Sequence, residues 1–176
     1  METNNSRSGF YQGALKQGTI LGVIWSAMFI LLFTGTTNIF ALLISMAIYF
    51  GSPAIAAMLA IKHRRKEFNN TMTYMQAWGF TFYMYLAASL FNTLVMFLYF
   101  KFVDGGAFFQ TIQQMLAQSM NTPGIPLVMQ QQLAQTSELI SNTSTNDFIW
   151  SILSGSISNT CILPLLIAIF VRKNPK

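Results

Sequence analysis

Four long apolar runs, broken by polar and basic stretches, set the pattern of this 176-residue chain. The first covers residues 17–36 and includes GTILGVIWSAMFILLF. The second covers 38–61 and stops abruptly at Lys62-His63-Arg64-Arg65-Lys66. The third covers 75–103, and the fourth covers 148–171, ending at Arg172-Lys173. Each reaches the ~20 residues a helix needs to cross a hydrocarbon core of about 30 Å. No charge lies in the central part of any run. A membrane barrel would show short alternating segments instead, so strands are excluded. The third run is longer than a bilayer requires and is expected to tilt or project.

The stretch before the first run, residues 1–16, is polar, with Arg7 and Lys16. The stretch between the third and fourth runs, 104–147, has a pattern of its own. Phe108, Ile112, Met115, Leu116 and Met120 follow helical spacing, and Gln110, Gln113, Gln114 and Gln118 take the other face. Pro123-Gly124-Ile125-Pro126 breaks the chain. Met129, Leu133, Ser137 and Ile140 open a second helical pattern, and Ser144-Thr145-Asn146-Asp147 reads as a capping box into the fourth run. The pattern predicts an outer hairpin of two amphipathic helices, the first an extension of span three. They shield apolar surface or dock a partner.

The expected fold is therefore all-α. It is a single polytopic membrane domain, residues 1–176, with four transmembrane helices in an antiparallel bundle. Composition agrees. Hydrophobic residues make up 53% and charged residues 9%, against roughly 25% charged in a soluble domain. Such a chain lacks the charged shell that water demands.

Charge placement orients the spans. Nine of the ten Lys and Arg residues fall in the N-terminal tail, the 62–66 loop and the C-terminal tail, all on one side of a four-span chain. The tenth, Lys101, sits at the far end of span three. Segment 104–147 holds three acids and no base. The positive-inside rule then puts both termini in the cytoplasm. Lys62, Arg64, Arg65, Lys66, Arg172 and Lys173 are the residues assigned to setting topology or meeting lipid headgroups. His63, within that cluster, is expected to be solvated or to face headgroups. The net charge of +5 does not signal nucleic acid, because no basic recognition helix or single-strand motif accompanies it.

Polar residues inside the spans point to packing. Asn92 and Asn159 lie at matching depth, each 11 residues from the outer end of its span. They are expected to hydrogen-bond across the bundle, with Ser89 or Thr160 nearby. Pro53 and Pro164 lie 8 and 7 residues before the inner ends of spans two and four. Two kinks at one depth offer a frame for a cavity or hinge. The small residues Gly18, Gly22 and Ser26 in span one permit close helix approach, as does the stripe Ser151, Gly155 and Asn159 in span four. Packing within the chain or dimerisation would use them.

Chemistry is sparse. The spans contain no buried Asp, Glu, Lys or Arg of the kind that marks ion pathways. One histidine and one cysteine, Cys161, build neither a nucleophile–base pair nor a zinc site, and one cysteine makes no intramolecular disulfide. No phosphate-cradling glycine loop is present. No catalytic, cofactor-binding or metal residue is assigned. No small-x-small pattern follows the first run, so a cleavable signal peptide is not expected.

Tyr74-Met75-Gln76-Ala77-Trp78-Gly79-Phe80 opens span three and Leu98-Tyr99-Phe100-Lys101-Phe102-Val103-Asp104 closes it. With the glycine-containing first span and the short basic tail, these segments make the chain resemble domain-of-unknown-function family 4199. That family consists of small bacterial four-span membrane proteins. The resemblance spans nearly the whole chain and implies a bacterial inner membrane. It brings no activity, cofactor or ligand. Two functional classes stay open: a non-enzymatic accessory or interaction subunit, binding a membrane protein or another copy of itself, and a small transporter or channel subunit.

Overall fold

The computed structural model describes residues 2–34, 38–122 and 124–173, with the side chains of all except residues 2–8, Thr34 and Asn159. Six helices account for most of them: α1 (Glu2–Thr34), α2 (Ile39–Glu67), α3 (Tyr74–Tyr99), α4 (Ala107–Met120), α5 (Leu127–Asn142) and α6 (Thr145–Val171). Four of these, at Gly9–Phe33, Ile39–Glu67, Tyr74–Asp104 and Thr145–Val171, contain stretches long and apolar enough to cross a membrane. The protein is an all-α, polytopic membrane protein.

Local sequence explains the ends. Asn38 caps α2, its side chain accepting the Phe40 N–H at 3.0 Å. Thr73 and Gln76 form a reciprocal capping box at the start of α3, the Gln76 side chain accepting the Thr73 N–H at 3.0 Å. Ser144 and Asp147 do the same for α6, with the Ser144 hydroxyl donating to the Asp147 carboxylate at 2.6 Å. Asn69 and Asn70, both at positive φ, turn the chain between α2 and α3.

Two details depart from the sequence reading. Residues 2–16 of the polar N-terminal stretch are helical, so α1 begins well before its apolar stretch. Nor does span three run on into α4. A π-helical turn at Phe100–Asp104 follows α3, and Gly105 and Gly106, at φ 57° and 89°, break the helix. The Asp104 carboxylate then accepts the N–H groups of Gly106 and Phe108, capping α4.

The described chain divides into two compact units. The first comprises residues 1–96 and 152–176. Its core is Leu21 from α1, Ala56 and Ala60 from α2, Phe80, Met84, Tyr85 and Ala88 from α3, and Ile167, Ala168 and Val171 from α6. The buried set also includes Ser26, Ser45, Ser52, Thr81, Ser89 and Thr160. The exposed set includes Phe40, Phe50, Ile162 and Phe170, with Phe50 77% exposed. Small and hydroxyl side chains share the interior with a few large ones such as Phe80, Met84 and Tyr85, and many other large apolar side chains face outward. A water-facing surface could not bear that pattern, whereas lipid tails cover it at no cost.

The second unit comprises residues 97–151. Here α4 and α5 pack on each other. Phe100, Phe108, Phe109 and Phe148 form an aromatic cluster with centroid separations of 5.5–5.7 Å. No residue of α4 or α5 is buried.

Candidate functional site

The polar layer inside the first unit is built by α1 and α3. Gly18 and Gly22 let the two backbones approach. An ideal Cβ on Gly18 would lie 2.5 Å from the Met84 carbonyl oxygen, and one on Gly22 2.9 Å from the Phe91 Cβ. Neither separation accommodates a side chain. The approach brings Ser26, one turn further along α1, to Asn92. The Ser26 hydroxyl donates to the Gly22 carbonyl at 2.8 Å and lies 3.3 Å from Asn92 Oδ1. Asn92 Nδ2 is directed at the Met96 sulfur, 3.5 Å away.

Sequence reasoning expected a different partner for Asn92. The Asn159 side chain lies outside the described residues. Ser89 and Thr160 are both buried, but each hydroxyl donates to its own helix, at the Leu86 and Ser156 carbonyls. Gly155 is also corrected. It is exposed and an added Cβ there meets open space, so it makes no close helix contact among the described residues.

A cavity of about 420 Å³ lies beside this layer, among α1, α2, α3 and α6. Its walls include Phe29, Phe50, Pro53, Tyr85, Asn92 and Leu163. The Tyr85 hydroxyl is buried without a hydrogen-bond partner among the described residues. The two prolines do not frame this cavity together. Pro53 lines it, but Pro164 is fully buried elsewhere, its carbonyl 3.4 Å from the Thr81 hydroxyl. Both sit inside helices that continue past them, as membrane helices allow.

The basic end of the bundle is the second locus. His63 is 7% exposed, which overturns the expectation of a solvated ring. Its imidazole stacks on Phe80 at 4.6 Å and 13°, and Phe68 meets it edge-on. Gly13 on α1 makes the room, because a Cβ there would come within 2.1 Å of the ring. Arg64 departs from its assignment in the same way. It is 7% exposed, and its Nη1 donates to the Val171 carbonyl at the end of α6. The last carbonyls of a helix have no partner of their own, and a cation there also meets the negative end of the helix dipole.

Backbone bonds complete the arrangement. The Arg64 carbonyl accepts from Phe68 and Asn70, and Met72 and Lys173 exchange two bonds of 2.8 Å. The end of α2, the turn after it and the end of α6 are thus joined. Sequence reasoning missed this clasp because its partners are 107 residues apart and no local pattern records them. Lys62, Arg65, Lys66, Arg172 and Lys173 are exposed.

A groove of about 570 Å³ opens between α1 and α2 at this end, with Lys16, Lys62, Lys66 and His63 on its walls.

Neither a curated protein nor a solved structure matches the chain. The family model described as Protein of unknown function (DUF4199) matches residues 16–173, from the basic end of α1 through all four long apolar helices to the residue that pairs with Met72. By that match the chain belongs to the DUF4199 family.

Proposed function

We propose that the protein is a non-enzymatic accessory subunit of the bacterial cytoplasmic membrane, with both termini in the cytoplasm, that binds another membrane protein through α4 and α5. The observation carrying this reading is the surface of those two helices. Leu127, Val128 and Leu139 are 67–76% exposed, and nothing in either helix is buried. The segment has no Lys or Arg to hold it on anionic lipid. An apolar surface without a basic anchor fits a protein partner better than a membrane surface. The case against catalysis rests on residues: the sole histidine is packed between Gly13 and Phe80.

The test is purification in mild detergent of the wild type and of a Leu127→Ser, Val128→Ser, Leu139→Ser variant. A protein recovered in stoichiometric amount with the wild type and lost with the variant supports the reading. Recovery of a self-associated species alone, seen as a doubled mass, replaces the partner with a second copy. A second reading, a small transporter or channel subunit, is favoured by the cavity beside Pro53 and Asn92. Solute flux in proteoliposomes, abolished by Asn92→Leu and accompanied by no partner, would put that reading first.

A further inference from the structure

We infer that the groove between α1 and α2 at the basic end is a binding site for the phosphate headgroup of an anionic phospholipid. Lys16 from α1 and Lys62 and Lys66 from α2 line the groove. All three are exposed. The Lys66–Glu67 ion pair at the rim spans 3.8 Å between side chains that are 79% and 50% exposed. Such a pair is weak and yields readily to a competing anion. Gln12 and Gln17 add neutral amide donors, and Ile20 and Leu59 supply apolar wall.

His63 is the second observation. It lines the groove, is 7% exposed, and its Nε2 has no hydrogen-bond partner among the described residues. A buried ring nitrogen left without a partner is costly. Here it lies beside Gly13, which lines the same groove. Three lysines lining a space of about 570 Å³ suit a phosphate. A soluble phosphate would share that chemistry. The apolar wall at Ile20, itself 41% exposed on the apolar stretch of α1, gives an acyl chain a continuous path from the groove to the lipid-facing surface. That path selects a lipid over a free anion. Basic pockets between membrane helices hold anionic headgroups by this combination.

The experiment is native mass spectrometry of the full chain released from detergent, with phosphatidylglycerol or phosphatidylcholine added. The site predicts retention of one phosphatidylglycerol per chain and weak retention of phosphatidylcholine. Each single Lys→Gln change in the groove should weaken phosphatidylglycerol binding roughly fivefold, and Lys16→Gln, Lys62→Gln, Lys66→Gln together roughly a hundredfold. The control Lys101→Gln, at the far end of span three, removes one charge away from the groove and should change binding by less than about twofold, against the roughly fivefold of each single groove variant. Circular dichroism melts check that the variants fold. If the triple groove variant does not, Lys16→Gln and the charge-preserving Lys16→Arg read the site alone. Equal losses in groove and control variants overturn the inference. So does equal retention of phosphatidylcholine, or displacement of the lipid by glycerol 3-phosphate at equal concentration.

Discussion

Gly18 and Arg64 show how much rests on single side chains here. Gly18 sits where a Cβ would strike the Met84 carbonyl and the Ala87 methyl, so Gly18→Leu should lower stability by about 1–3 kcal/mol or more. Gly155 stands against open space, and Gly155→Leu should stay within about 0.5 kcal/mol. Thermal unfolding in detergent compares the two. Both glycines look alike in sequence, each in a stripe of small residues on an apolar helix. What separates them is the neighbour each meets, and that is a tertiary fact. Arg64 and Arg65 pose the same problem, being adjacent and chemically identical. Arg64 fills the end of α6, whereas Arg65 is exposed. Arg64→Ala should cost about 1.5–3 kcal/mol through the lost charged hydrogen bond, and Arg65→Ala almost nothing. Hydrogen exchange at the last turn of α6 should rise only in the first.

At the scale of elements, chain punctuation decides the joints. The end of α3 was read as continuous with α4 because its apolar pattern continues through Phe102 and Val103. The two left-handed glycines, Gly105 and Gly106, were the signal against it. A non-glycine residue in that conformation costs about 1–2 kcal/mol, so Gly105→Val should loosen the first turn of α4. Faster amide exchange at Phe108 and Phe109, with the α1–α3 contact unaffected, is the expected result. Capping signals were more legible. Ser144 and Asp147 close a box that four consecutive residues announce. Thr73 and Gln76 close another with the same spacing. Caps are read locally because their partners lie three residues apart. The clasp between Met72 and Lys173 joins residues 101 positions apart, beyond any local pattern.

For the whole molecule, the asymmetry of basic residues predicts orientation. With Cys161 replaced by serine, single cysteines at Ser8 and at Ser137 should label from opposite sides of the membrane, the first from the cytoplasm. Changing Lys62, Arg65 and Lys66 together to glutamine should yield a mixed population, because it removes three of the nine bases on that side. Arg64 is left out of that variant, since its loss would also uncap α6.

What the sequence determined by itself was the number of long apolar helices and their approximate extents. Both follow from composition summed over about 20 residues, a property needing no partner. Class followed for the same reason, since a chain with 9% charged residues has too little polar surface for water. Only the tertiary structure decided which polar residues meet. Depth along the spans put Asn92 and Asn159 level, but depth says nothing of rotation about a helix axis. Rotation is set by steric approach, and the glycines of α1 bring Ser26 to Asn92. The same reason divides the basic cluster. Five adjacent residues look like one solvated run, yet a helix turns about 100° per residue. The turn carries His63 and Arg64 inward against Phe80 and Val171 and leaves Lys62 and Lys66 at the groove.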